Sequence, residues 1–90
     1  MNRARRKEID GVIAALEDIQ RQIETQADIV ADIASDEEAY RDAMPENLQE
    51  SARFEAADAA ANALCDAQVD LVSIGMDLVS IIERLREAQA

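Results

Sequence analysis

The chain has no histidine and a single cysteine, Cys65. One cysteine closes no disulfide within the chain. A lone thiol among carboxylates is not a zinc site. Carboxylate-bridged di-metal bundles draw on Glu-x-x-His pairs, which have no counterpart here. No cofactor or metal is therefore expected. Glycine and proline are scarce, at 2 and 1, and aromatics make up 2% of the 90 residues. A sheet-rich fold needs turn residues and aromatic or β-branched strands, so that class is set aside. The longest apolar runs are a few residues, too short to span a bilayer. The opening MNRARRKEID has no apolar stretch behind it and does not read as a signal peptide. The expected location is the cytoplasm.

What is present is Ala, Glu, Asp, Gln, Leu and Ile, the composition of long helices. Ninety residues allow one domain. A chain this short buries little surface, and with disulfide and metal set aside, oligomerisation is the support that remains. The net charge is −11, and it is segregated. Arg3, Arg5, Arg6 and Lys7 open the chain, and Arg84 and Arg86 nearly close it. The middle is acidic. Charge of one sign keeps small proteins apart in solution, which is its simplest use.

The stretch Val69–Leu85, VDLVSIGMDLVSIIERL, is apolar on almost every side. Its polar residues, Asp70, Ser73, Asp77, Ser80 and Arg84, make one narrow stripe. Such a helix has to be covered by the rest of the chain. A first helix is expected over about residues 3–43. Ile9, Val12, Leu16, Ile19, Ile23, Gln26, Val30, Ile33, Glu37, Tyr40 and Met44 recur in 3-4 alternation, a heptad seam that implies a left-handed supercoil. Ser35-Asp36-Glu37-Glu38 has the form of a capping box and offers an alternative break. The corner is expected at residues 44–50. Pro45 suits a first helical turn, and Asn47 with Glu50 offers a cap.

A second helix then covers about residues 47–88. Ala57, Ala60, Leu64, Ala67, Leu71, Ile74, Leu78, Ile81 and Leu85 form its seam. Cys65, Val69, Val72, Met76 and Val79 form a second apolar stripe centred roughly 150° away. The fold class that follows is all-α: an antiparallel helical hairpin, about 50–60 Å long. A corner near Asn47 pairs Ile9 with Leu85, Ile23 with Leu71 and Gln26 with Gln68, and sets Tyr40 beside Phe54. The second stripe stays uncovered in a monomer. Burying it against a second copy gives a homodimeric four-helix bundle, with those five residues as the dimer interface.

The segment EEAYRDAMPENLQESARFEAADAAANALCDA resembles one found in small acidic phage and prophage coiled-coil proteins. Asp42, Met44, Pro45, Glu46, Leu48, Gln49, Ser51, Arg53, Glu55 and Ala56 keep the pattern. Ala43 and Ala52 depart from it, and Phe54 stands where glycine is usual. The resemblance covers about a third of the chain. It implies a coiled-coil hairpin of mobile-element origin, working in the host cytoplasm, and it carries no catalytic residues.

Cys65 lies on an apolar stripe with no histidine to activate it, and reads as a small buried residue rather than a nucleophile. Glu24, Asp28, Asp32 and Asp36 recur every four residues, where like charges repel by a few tenths of a kcal/mol. The row reads as a solvated face, as a surface that binds a basic protein partner, or as an imitation of a phosphate row that occupies a nucleic-acid groove. Arg3, Arg5, Arg6 and Lys7 are the candidate nucleic-acid contact. Four charges without aromatics give weak, salt-sensitive binding, and the overall charge opposes it. The expected function is a non-enzymatic protein-binding module, of the kind that inhibits a host defence system by occluding it. The alternatives are a scaffold or assembly chaperone and a nucleic-acid-binding accessory.

Overall fold

A computed structural model spanning Met1–Ala90 contains two long helices and no strand: α1, Arg3–Asp42, and α2, Ala52–Gln89. They run antiparallel as a rod of 69 × 15 × 14 Å. Asn2 starts α1, its Oδ1 accepting from the Arg5 N–H at 2.9 Å. The helix passes through Ser35–Glu38 without a break, so the capping box is not used. The chain leaves the helix after Asp42 and makes a single 3₁₀ turn at Glu46–Leu48, where the Leu48 N–H reaches the Pro45 carbonyl at 2.8 Å. The second helix starts at Ser51, not Asn47. The Ser51 Oγ accepts from the Phe54 N–H at 3.2 Å.

That later start moves the pairing. The corner is centred beyond Asn47, so each α1 residue meets a residue about one helical turn further along α2. Ile23 faces Gly75 rather than Leu71. The expected Gln26–Gln68 pair does not form, because Gln26 is exposed while Gln68 sits half-buried in the seam. Tyr40 is exposed, whereas Phe54 is half-buried.

The seam keeps its heptad rhythm but is rotated by one residue on each helix. In α1 the covered positions are Ile9, Ile13, Leu16, Gln20, Ile23, Ala27, Val30, Ala34, Glu37 and Arg41. In α2 they are Phe54, Ala57, Ala61, Leu64, Gln68, Leu71, Gly75, Leu78, Ile82 and Leu85. Thus Val12, Ile19, Ile33 and Tyr40, expected inside, are exposed, as are Ile74 and Ile81. The reason is size. The fully buried seam positions include Ala27, Ala34, Ala57, Ala61 and Gly75. Small residues let two helix backbones approach closely, and the Leu and Ile side chains of the shared rows fill the steps between them.

Polar links close the rod at both ends. At the corner end, Arg41 bridges Asp58 at 2.8 Å and Asp42 at 3.0 Å. At the open end, Arg86 reaches Glu17 at 3.4 Å, and the Gln89 amide donates to the Arg6 carbonyl and to Asp10. No helix is long and apolar enough to cross a membrane.

Candidate functional site

The rotated seam gives the hairpin two unlike faces. On α1 the row Val12, Ile19, Gln26, Ile33, Tyr40 flanks the seam on one side, and Asp10, Glu17, Glu24, Ala31, Glu38 flank it on the other. This follows from the 3-4 repeat. On α2 the corresponding rows are Ala60, Ala67, Ile74, Ile81 and Asp58, Cys65, Val72, Val79, Arg86. Three contacts show which rows share a face. Arg86 pairs with Glu17, Cys65 with Glu38, and the Glu24 and Asp28 side chains share a groove with Val72, Met76 and Val79. The remaining two rows therefore lie together on the opposite face.

The two rows of that opposite face carry no charge between their ends, but Asp36 on α1 and Asp70, Asp77 and Arg84 on α2 border them at helical spacings of three and four. Val12, Ile19, Ile33 and Tyr40 on α1, and Ile74 and Ile81 on α2, are all large and exposed. Ala60 and Ala67 complete it on α2. Arg5 and Arg53 are the nearest charges along these two rows, one towards each end. Seen from the sequence, these side chains were seam; the structure turns them outward as a second layer with nothing upon it.

The groove face is different. Its floor is Ile23, Ala27, Leu71 and Gly75, and Val72, Met76 and Val79 rise along α2. Met76 is 67% exposed. The α1 wall is Gln20, Glu24 and Asp28. The stripe expected to form the dimer interface runs along this face. Val69, Val72, Met76 and Val79 are exposed, while Cys65 is half-buried.

The four acids of the i, i+4 row do not act as one surface. Each step of four residues turns about 400°, so the row winds round the helix. Glu24 and Asp28 reach the groove; Asp32 and Asp36 are exposed and wind on towards the back of α1. Glu24 accepts a hydrogen bond from the Gln20 amide at 3.2 Å, and neither Glu24 nor Asp28 has a basic partner.

Cys65 donates its Sγ–H to Glu38 Oε1 at 3.3 Å. That carboxylate, with help from partial burial and from the charges of Glu38 and Asp66, pushes the thiol above its ordinary range; Arg41 opposes weakly. The thiol is thus held protonated, the opposite of what a nucleophile requires. The Arg41 guanidinium is held still more firmly protonated by Asp42 and then Asp58. No three acids or thiols converge as they would around a metal ion. Arg3, Arg5, Arg6 and Lys7 are exposed at the open end, where Arg86 is engaged by Glu17.

Comparison with known protein families, with curated proteins and with solved structures gives no match.

Proposed function

We propose that this chain is a non-enzymatic protein-binding module: a hairpin that takes a second copy of itself on the apolar face of Val12, Ile19, Ile33, Ile74 and Ile81 and docks another protein on the groove face. The observation that carries this is how little the hairpin covers. Only 7 of 90 residues are buried, and 13 large apolar side chains are exposed. A compact monomer of this mass would expose about 5,200 Å² by the usual scaling. This chain exposes 6498 Å². The excess, roughly 1,300 Å² per chain, is the size of one side of an obligate dimer interface.

Charge selects the face for self-association. Two copies meeting through the Ile19–Ile74 face keep carboxylates to the rim, where Asp36, Asp70 and Asp77 border the apolar rows and Arg84 can offset them. Two copies meeting through the groove face would bring Glu24 and Asp28 of each chain towards the other, and like charges across an interface are costly. We therefore assign self-association to the Ile19–Ile74 face rather than to the Cys65–Val79 stripe. Charge also orients it. An antiparallel pair sets the basic open end of one copy beside the acidic corner of the other.

The biological setting rests on the corner resemblance. An acidic body without catalytic groups fits a module that acts by occlusion, covering a host protein such as a component of a defence system. The Cys65 thiol, the one intrinsically strong nucleophile, is tied to Glu38, which supports a role without chemistry. A scaffold or assembly role is the second reading, favoured by the 69 Å rod with adhesive faces on two sides.

Sedimentation equilibrium and thermal melts over about a hundredfold range of concentration test the reading, because association stabilises by mass action. The expected result is a mass of two chains and a melting temperature that climbs with concentration. Assemblies that keep growing with concentration favour the scaffold. A monomer with a concentration-independent melt refutes both.

A further inference from the structure

We infer that the groove between Glu24 and Asp28 of α1 and Val72, Met76 and Val79 of α2 is the docking site for a basic amphipathic helix of another protein. The inference rests on the protein-binding reading and names its partner by chemistry. The groove has the two elements such a helix needs. Its floor and α2 wall are apolar, and Gly75 at its centre has no side chain to fill it. Its α1 wall carries two carboxylates with no basic partner. A volume of about 190 Å³ falls below the roughly 300–1,000 Å³ of small-molecule sites. It suits a few protruding side chains instead.

The lining residues run over Gln20–Asp28 and Leu71–Val79, about two and a half turns of each helix. An incoming helix would anchor through apolar residues at i, i+3 or i+4, and i+7. The acids lie on one wall only, so Lys or Arg is required on one side of that apolar stripe. This chain does not supply the pattern itself. Its one basic cluster, Arg3–Lys7, precedes its first seam residue, Ile9, and a second copy brings a net charge of −11.

Three labelled synthetic peptide helices of equal length serve as probes. One carries a Leu stripe flanked on one side by Lys, one has Glu in place of each Lys, and one has the same residues as the first scrambled to abolish the stripe. Each is titrated onto the full chain by fluorescence anisotropy across a salt series. The Lys-flanked peptide should bind most tightly, and more weakly as salt rises. The double variant Glu24→Gln/Asp28→Asn should weaken it about three- to tenfold and flatten the salt dependence. Met76→Lys should weaken it more than tenfold with an unchanged helical circular-dichroism signal, since Met76 is largely in solvent and makes few contacts within the hairpin.

Equal binding of the Lys-flanked and scrambled peptides would show charge attraction without a groove and overturn the inference. So would equal binding of the Lys and Glu peptides, or indifference to Met76→Lys. A change in sedimenting mass for Met76→Lys without peptide would show that a second copy fills the groove, and would overturn it as well. In each of these cases a concentration-dependent wild-type melt leaves the protein-binding reading standing, so the two fail separately.

Discussion

Ile74 and Val72 are two residues apart on α2, nearly equally exposed at 48% and 44%, and on opposite faces. They form a matched pair for locating the self-association surface. Replacing either with Asp costs the isolated hairpin about 1 kcal/mol for its covered half, and Ile74→Asp adds a few tenths through Asp70 and Asp77, four residues before and three after it. About half of each side chain already meets water, and Ile, Val and Asp have similar helix propensities. In the dimer the two sites diverge. Full burial of an Ile side chain is worth about 1.5–3 kcal/mol, so covering its exposed half contributes roughly 1 kcal/mol, once per subunit. An Asp buried there in each subunit adds a desolvation cost of several kcal/mol per ion unless it is paired. Together these exceed about 4 kcal/mol, or roughly a thousandfold in dissociation constant. Ile74→Asp should therefore sediment as a monomer at concentrations where wild type is a dimer, and should melt lower because association and folding are linked. Val72→Asp should keep the dimer. Sedimentation equilibrium and circular-dichroism melts on the two variants decide the matter. If Val72→Asp dissociates and Ile74→Asp does not, the Cys65–Val79 stripe is the interface and the assignment by charge is wrong. If both behave as wild type, neither face mediates self-association.

Other consequences are local. Ser51→Ala removes the cap of α2 and should cost about 1 kcal/mol, seen as a fall of roughly 4–8 °C in melting temperature; Asn47→Ala, at an exposed position in the 3₁₀ turn, should change little. A Cβ at Gly11 would meet nothing within 4 Å, and one at Gly75 would meet Ile23 Cγ2 at 3.9 Å, an ordinary contact. Gly11→Ala and Gly75→Ala should each stabilise by about 0.5–1 kcal/mol in denaturant unfolding, and a loss at Gly75 would mean that the seam there is closed to a methyl group. The Cys65 thiol is raised in the folded state, first by its hydrogen bond to Glu38. Its contribution is fully present below the unfolded thiol value of about 8.5 and is lost as pH rises through the folded value. Cys65→Ser keeps a donor that does not titrate, so the two melting curves should part only at alkaline pH; parallel curves throughout would show that the Glu38 contact carries no weight.

The hairpin was legible because three independent signals agreed. There is one proline, a cap close behind it, and a seven-residue apolar repeat on either side. The register was not, because Asn47 and Ser51 are both good N-caps about one turn apart, and choosing between them shifts every cross-helix pair. The phase of the seam was harder still. On α1, Ile9, Val12 and Ile13 begin three neighbouring apolar rows with that of Ile9 in the middle, and a heptad pattern fits the Ile9–Val12 pair of rows as well as the Ile9–Ile13 pair. Periodicity reports that a stripe exists. Its centre is decided by which side chains let the backbones close, and Ala27, Ala34, Ala61 and Gly75 weigh little on a hydrophobicity scale while weighing much in packing.

The same ambiguity hid the candidate site. Glu24 and Val72 are distant in sequence, and they become neighbours only when both register and phase are known. The acidic row looked like one surface because a spacing of four is close to a helical turn, yet the residual 40° per step accumulates until Asp36 points away from the groove that Glu24 borders. What the sequence does hold is the rule that separates the faces. On each helix the residue before a seam position is apolar or amide on one flank; on α1 the residue after it is mostly acidic on the other, while on α2 that flank is mostly apolar, through Cys65, Val72 and Val79. Once the seam is phased, that asymmetry divides the surface into a face whose acids stay at its border and a face with Glu24 and Asp28 at its groove. Charge, which has little to say about how two helices pair here, therefore says most about what each face can bind.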